Sequence, residues 1–143
     1  MEVRPGLMSS AMASVEEATR QPVILVVEDE ILLRSPVAEF LRTAGYKVIE
    51  AANAAEAVAV FVTGTAIDLV FSDIDMPGPM DGVGLARWIS RHHPGIHLIL
   101  SSGISHAARA RGITAPFLPK PYRLAAVALR IRSLLEDPRQ KDA

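Results

Sequence analysis

The sequence predicts an α/β fold in which a five-stranded parallel sheet carries helices on both faces. Strand-like and helix-like patterns alternate from residue 22 to residue 136, which is the order that parallel sheets with crossover helices produce. The first strand pattern, residues 22–27, is a continuous apolar and β-branched run, as expected for a strand buried on both faces. Sites in such sheets form outside the carboxyl ends of the strands, so candidate residues are sought there.

The first predicted helix follows residues 28–30 and ends at Gly45, because glycine commonly follows a helix C-terminus. Pro36 lies inside this helix and is expected to loosen or kink its first turns. Its predicted apolar face consists of Leu33, Val37, Phe40, Leu41 and Ala44.

The second strand is predicted at residues 47–51 and the third at 67–72. Between them, Asn53 is expected to cap a helix that ends at Gly64, with Glu56 as its capping-box partner.

In the C-terminal half, a loop rich in proline and glycine precedes a helix at residues 83–92. The fourth and fifth strands are predicted at 96–101 and 115–119. Residues 104–111 between them make at most two helical turns, and an amphipathic helix over 124–135 completes the pattern.

Composition excludes several classes of function. The chain has no cysteine, so disulfides, thiolate metal sites and cysteine catalysis are excluded, and a cytoplasmic location is expected. The formal net charge is -1, which gives no overall basic field for DNA. No apolar run approaches the ~20 residues of a membrane span. We expect one domain at residues 21–137, between a flexible tail at 1–20 and a short tail at 138–143.

Charged and hydroxyl side chains follow the predicted strands. Strand 1 ends at Glu28 and Asp29, strand 3 at Asp73 and strand 4 at Ser102, while strand 5 runs into Lys120. Crowded carboxylates are unfavourable unless a cation lies between them, and Mg²⁺ prefers oxygen ligands of this kind. The lysine adds a second positive charge for an incoming phosphoryl group. One carboxylate is then the nucleophile that forms an acyl phosphate.

Five ordered motifs resemble the receiver domain of bacterial response regulators over about residues 22–136. They are Val-Val-Glu-Asp-Glu (26–30), Asp-Leu-Val-Phe-Ser-Asp-Ile-Asp-Met-Pro (68–77), Met-Asp-Gly (80–82), Ser-Ser-Gly (101–103) and Phe-Leu-Pro-Lys-Pro (117–121). The resemblance implies a flavodoxin-like doubly wound sheet with strand order 2-1-3-4-5. The interval from Ser102 to Lys120 is short for that family, which predicts a shortened fourth helix.

The resemblance also implies the reaction and the metal. Asp73 would be phosphorylated with Mg²⁺ as cofactor. Asp29 and Asp73 would bind the ion directly, Glu28 would act through water, and the backbone carbonyl of Asp75 would complete the shell.

Further roles follow from the same resemblance. Ser102 would hydrogen-bond the phosphoryl oxygens, and Gly103 would keep access to the site open. Lys120 would pair with Asp73 or its phosphate, with a cis bond to Pro121. Phe117 occupies the aromatic switch position, and Ser102 and Phe117 would move together.

The implied donor is the phosphohistidine of a sensor histidine kinase or histidine phosphotransfer protein. After Glu136 only seven residues follow, so we expect a stand-alone receiver that signals to a downstream protein by contact or by relay. No binding to DNA or membrane is expected, and the chain is expected to be a monomer or a weak dimer. The domain would be a phosphoacceptor that slowly dephosphorylates itself, not an enzyme.

Two alternatives stay open at this stage. Asp73 and Asp75 also match the Asp-x-Asp core of haloacid-dehalogenase-like phosphatases, in which the first Asp is a nucleophile and the second a general acid/base. The chain could also be a degenerate receiver that acts only as a binding module.

Overall fold

The computed structural model describes residues 20–103, 112 and 114–137. These residues contain five strands and four helices. The strands are β1 Val23–Val27, β2 Lys47–Ala51, β3 Leu69–Asp73, β4 His97–Ser102 and β5 Phe117–Pro119. The helices are α1 Ile31–Thr43, α2 Ala54–Val62, α3 Gly82–His92 and α4 Leu124–Leu135.

All five strands form one parallel sheet in the order β2-β1-β3-β4-β5. The predicted fold class and strand order are therefore confirmed. The register places Asp73 of β3 beside Ser101 of β4 at the carboxyl edge, and it pairs the adjacent Ser72 with Val27 of β1. The ends of β1, β3 and β4 consequently lie side by side.

The shortened helix that was predicted between β4 and β5, at residues 104–111, lies outside the described residues. The tails predicted at 1–20 and 138–143 also lie outside them, apart from Arg20. The Arg20 guanidinium pairs with both carboxylate oxygens of Asp68, at 3.0 and 3.3 Å. Among the described helices, none is both long enough and apolar enough to cross a membrane.

The apolar face predicted for α1 is only partly correct. Val37 and Leu41 are buried as predicted, but Leu33 and Phe40 are each 38% exposed and Ala44 is exposed after the helix end. Ala38 takes part in the contact with the sheet instead. The burial of three residues within five positions shows that α1 meets the sheet along a short stripe. The helix runs through Pro36 without interruption.

The predicted start of α2 is confirmed. The Asn53 side chain accepts a hydrogen bond from the Glu56 amide at 2.8 Å, and the Glu56 carboxylate accepts one from the Ala52 amide at 2.8 Å. The first bond satisfies an amide that the helix leaves unpaired in its first turn, and the second ties the Glu56 side chain to the residue before the cap. Gly64 follows the helix with a φ of 82°, which a glycine adopts without strain.

Apolar side chains form a core on each face of the sheet. One face packs under α2 and α3 and includes Leu25, Val70 and Leu85. The other packs under α1 and α4 and includes Val26, Phe71 and Ile131. Since both faces of β1 and β3 are covered, these strands are fully buried. For β1, its continuous apolar run predicted this burial.

Candidate functional site

Three acidic residues meet at the carboxyl edge of the sheet. Glu28, Asp29 and Asp73 each offer one carboxylate oxygen, and these oxygens all lie within 4.8 Å of one another. Glu28 is 3% exposed and Asp73 is 6% exposed, whereas Asp29 faces solvent. The structure therefore brings together the three carboxylates that the sequence predicted to be neighbours.

Backbone hydrogen bonds from the sheet hold these residues in place. The Glu28 amide donates to the Ala51 carbonyl at 3.0 Å, and the Ile74 amide donates to the Ser101 carbonyl at 2.8 Å. Asp73 is the last residue of β3, so its carboxylate projects from a strand that has a partner on each side. Rigid elements of this kind keep a reactive group in position.

Lys120 reaches the same edge from the end of β5. Its amide donates to the Ser102 carbonyl at 3.0 Å, and the Lys120–Pro121 peptide is cis, as predicted. The Nζ atom lies 2.8 Å from Glu28 Oε1 and 3.3 Å from Asp73 Oδ2. One ammonium group therefore bridges the two buried carboxylates.

Burial and crowding shift the acid–base behaviour of these groups. Burial raises the pKa of the Glu28 carboxyl to about 7, and the charge of Asp73 adds to this effect although Lys120 opposes it. Burial also raises the pKa of Asp73, while the charge of Lys120 acts in the opposite direction. For Lys120, burial lowers the pKa, but its contacts with Glu28 and Asp73 outweigh burial and the net shift is upward. The site thus holds more negative charge than one lysine can offset.

The donor set fits a divalent cation. Glu28 Oε2 and Asp73 Oδ1 are buried and have no hydrogen-bond partner among the described residues. Buried carboxylate oxygens without partners are strongly unfavourable, and a hard cation such as Mg²⁺ satisfies them. Together with the exposed Asp29 carboxylate, they form a partly open site of oxygen ligands.

Ser102 ends β4 and is completely buried. Its hydroxyl donates a hydrogen bond to Asp75 Oδ2 at 2.5 Å, and the Asp75 side chain is exposed on the loop between β3 and α3. Gly103 follows on the surface, and a Cβ added there would meet no described atom within 4 Å. The roles predicted for Ser102 and Gly103 toward a phosphoryl group remain predictions.

Phe117 lies on β5 beside Leu100. Its half-buried ring packs against a small apolar cluster that contains Ile74, Val83, Ala86 and Leu100. Ile74 is the residue between Asp73 and Asp75. The aromatic side chain is thus in contact with the segment that carries the candidate phosphoacceptor.

Sequence reasoning did not single out two residues that shape the site. Arg34 on α1 donates from Nη1 to the Glu28 carbonyl at 2.8 Å and from Nε to Glu50 Oε1 at 3.2 Å, which ties α1 and β2 to the end of β1. Ser101 lines a small internal cavity of about 10 Å³ behind Glu28 and Asp73, and its buried hydroxyl has no partner among the described residues. Arg34 belongs to no quoted motif, and Ser101 stands in the Ser-Ser-Gly motif, which does not predict its place behind the acidic residues.

Gly82 also has a role that its motif alone did not explain. A Cβ at this position would clash with the Asp73 carbonyl oxygen and the Ile74 Cα. The Gly82 amide donates to the Ile74 carbonyl at 2.9 Å. The start of α3 therefore packs directly on the backbone of the candidate phosphoacceptor, and only glycine permits this approach.

The fold and this site define a class of protein, the receiver domains of two-component signalling. The family model described as the response regulator receiver domain matches residues 24–132. The chain belongs to this family, whose members are phosphorylated on an aspartate. Family membership favours the receiver interpretation of Asp73 and Asp75 over the dehalogenase-like one.

Particular relatives agree with this assignment. The chain is 38% identical over 130 residues to the sensor kinase CckA of Brucella abortus, a match that covers 85% of this chain. A crystal structure of the receiver domain from the hybrid histidine kinase CckA is 35% identical, with a TM-score of 0.69, and the match covers 80% of this chain and 99% of that one. The response regulator TrrA from Thermotoga maritima in complex with Mg(2+)-BeF is 28% identical, with a TM-score of 0.70, and the match covers 80% and 99% of the two chains.

The curated relatives are longer than this chain. It spans 14% of the Brucella abortus sensor kinase, and about half of two transcriptional regulatory proteins, ResD of Bacillus subtilis (50%) and the probable regulator TcrX of Mycobacterium tuberculosis (53%). The shared part is the receiver domain, so activities of the remaining parts of those proteins do not transfer to this chain.

Proposed function

We propose that Asp73 is the phosphoacceptor of this receiver domain. The observation that supports this most strongly is the charge arrangement around it. Asp73 is buried at the end of a central strand, its Oδ2 lies 3.3 Å from the Lys120 ammonium, and it shares an edge with Glu28 and Asp29. This arrangement offers a carboxylate nucleophile next to positive charge.

The proposed donor is a phosphohistidine of a sensor histidine kinase or histidine phosphotransfer protein. A carboxylate oxygen of Asp73 attacks the phosphorus atom, and the phosphorus–nitrogen bond breaks. Its electron pair stays on the imidazole, which takes up a proton, and an acyl phosphate forms on Asp73. Lys120 holds an oxygen of the transferred group through its ammonium.

The proposed metal ligands follow from the same geometry. Asp29 and Asp73 would hold Mg²⁺ directly, the Glu28 carboxylate would act through water, and the Asp75 carbonyl would add a neutral oxygen. The bound ion would neutralise negative charge on the phosphoryl oxygens. The unpartnered oxygens of Glu28 and Asp73 support this proposal.

The signal would end when water hydrolyses the acyl phosphate and restores the carboxylate. The domain would then act as a phosphoacceptor with slow self-dephosphorylation and would not turn over an external substrate. Ser102 would donate to a phosphoryl oxygen, Gly103 would leave the entrance open, and Phe117 would follow the movement of Ser102.

We further propose that residues 21–137 form the working unit between two tails. This unit would be cytoplasmic, monomeric or weakly dimeric, and would signal by protein contact or by relay, without contacting DNA.

The size of the natural polypeptide tests whether this receiver is a stand-alone protein. Immunodetection at about 15.4 kDa would support it, and detection only in a larger polypeptide would contradict it.

The test of the phosphoacceptor is transfer from a radiolabelled phosphohistidine protein in the presence of Mg²⁺. The wild-type chain should gain label as the donor loses it, and Asp73→Asn should gain none. Asp68→Asn is a matched control, because Asp68 directly precedes β3, five residues from the site, and lies next to Arg20. Unchanged labelling of Asp73→Asn would refute the assignment, and an unlabelled wild type that folds normally would indicate a degenerate receiver.

A further inference from the structure

The Ser102 hydroxyl has a specific acceptor in this structure. It donates to Asp75 Oδ2 at 2.5 Å, from a side chain that is completely buried. A serine hydroxyl has one proton to donate. While that proton is shared with Asp75, it is not available to another acceptor.

A phosphoryl group on Asp73 would need the same proton. Phosphoryl oxygens at neutral pH act as strong hydrogen-bond acceptors, and Asp75 is separated from Asp73 by a single residue. The carboxylate of Asp75 is itself a charged acceptor, and hydrogen bonds to such groups are among the stronger ones in proteins. Two negatively charged acceptors therefore compete for one donor.

We propose that the Asp75 side chain is a latch that holds the Ser102 hydroxyl in the unphosphorylated state. This inference rests on the proposed function of Asp73 and concerns the side chain of Asp75, not its backbone carbonyl. Phosphorylation of Asp73 must break the Ser102–Asp75 bond before Ser102 can bind the phosphoryl group. Because Asp75 is exposed, its released carboxylate is hydrated by solvent, so the latch opens without leaving a buried charge.

The latch is connected to the surface of the domain. Ile74, between Asp73 and Asp75, belongs to the apolar cluster against which Phe117 packs. When the Asp75 side chain is released, the loop between β3 and α3 loses its hydrogen bond to Ser102. When Ser102 then moves, it leaves space next to β5. Asp75 is thus a positioning residue that sets how readily the phosphorylated conformation forms.

A double-mutant cycle tests the latch. The probe is beryllofluoride, a stable mimic of the phosphoryl group, in the presence of Mg²⁺. Its affinity is measured from the amide NMR signals of residues 73–75 in the wild type, Asp75→Ala, Ser102→Ala and the double variant. Asp75→Ala changes the beryllofluoride affinity by one factor in the wild-type background and by another in the Ser102→Ala background. The loss of negative charge contributes equally to both factors, so their ratio isolates the effect of the Ser102–Asp75 hydrogen bond.

We expect Asp75→Ala to tighten beryllofluoride binding about tenfold more when Ser102 is present than in the Ser102→Ala background. Asp75→Asn, which keeps an acceptor for the hydroxyl but loses the charge, should give a smaller ratio. A ratio near one would overturn the latch and leave the phosphoacceptor assignment intact. A wild-type protein that does not bind beryllofluoride would overturn both.

Discussion

At the residue scale, Glu28 and Asp73 share one cation among the described residues, the ammonium of Lys120. Both acids are almost fully buried, and burial raises the pKa of each. Two carboxylates and one ammonium leave an excess negative charge in a poorly solvated position. This excess destabilises the folded protein and is compatible with the binding of a divalent cation.

The first prediction concerns stability and pH in the absence of Mg²⁺. The folded-state pKa of Glu28, about 7, lies above its ordinary value of 4.5. Between pH 4.5 and about pH 7, the folded protein therefore binds more protons than the unfolded chain. The contribution of Glu28 to stability falls as the pH rises through this range. Glu28→Gln removes this contribution and leaves Asp73 paired with Lys120.

We expect Glu28→Gln to be more stable than the wild type at pH 8 by roughly 1–3 kcal/mol, with the difference shrinking toward pH 4.5. Thermal unfolding followed by circular dichroism across this range measures the difference. Glu39→Gln provides a control at an exposed glutamate on α1. A Glu28→Gln variant that is less stable than the wild type at pH 8 would contradict this account of the site.

At the element scale, the site depends on how closely α3 approaches β3. Gly82 begins α3 and lies against the backbone of Asp73 and Ile74. The Asp81 side chain caps the same helix by accepting from the Gly84 amide at 2.9 Å. The helix start and the strand end therefore form one packed unit, and a change in the helix displaces the strand end.

The second prediction tests this unit with Gly82→Ala. The added methyl group cannot fit without a backbone shift, so we expect a loss of about 1–3 kcal/mol in unfolding free energy. Beryllofluoride affinity should fall as well, because Asp73 moves with its backbone. Gly95→Ala is the matched control, since a Cβ there meets nothing within 4 Å among the described residues. Equal stability and affinity in the two variants would show that α3 does not position Asp73.

Local sequence patterns predicted the elements well where a short segment determines its own structure. The Asn53 cap depends on neighbouring residues and was predicted correctly. The buried stripe of α1 depends on where the sheet lies, so Leu33 and Phe40 were placed wrongly in the core. The bond between Ser102 and Asp75 joins residues 27 positions apart, and no sequence spacing reveals such a contact.

At the scale of the whole molecule, the parallel sheet explains why distant charged residues could be predicted to meet. Carboxyl ends of parallel strands share one edge, so Glu28, Asp73 and Lys120 converge once the strand order is fixed. The contacts that support them from behind, such as Arg34 on the Glu28 carbonyl, depend on how the helices pack and could not be predicted in this way.

The third prediction is that Mg²⁺ stabilises the whole domain. A ligand that binds only the folded state at a hundred times its dissociation constant adds about 2.7 kcal/mol. The rise in melting temperature should be larger at pH 8 than at pH 6, because the Glu28 carboxyl, whose pKa burial raises to about 7, carries its full negative charge only at the higher pH. Potassium chloride at matched ionic strength controls for screening. An equal rise with potassium, or a larger rise at pH 6, would argue against the carboxylate site.

The central claim is that Asp73, among several neighbouring acids, carries the phosphoryl group. Its most direct test is to phosphorylate the protein with a small-molecule donor and Mg²⁺, reduce the acyl phosphate with borohydride, and locate the modified residue by peptide mass spectrometry. The account predicts modification at Asp73 alone, and none when the ion is removed with a chelator. Modification at Glu28, Asp29 or Asp75, or at a histidine, would contradict it.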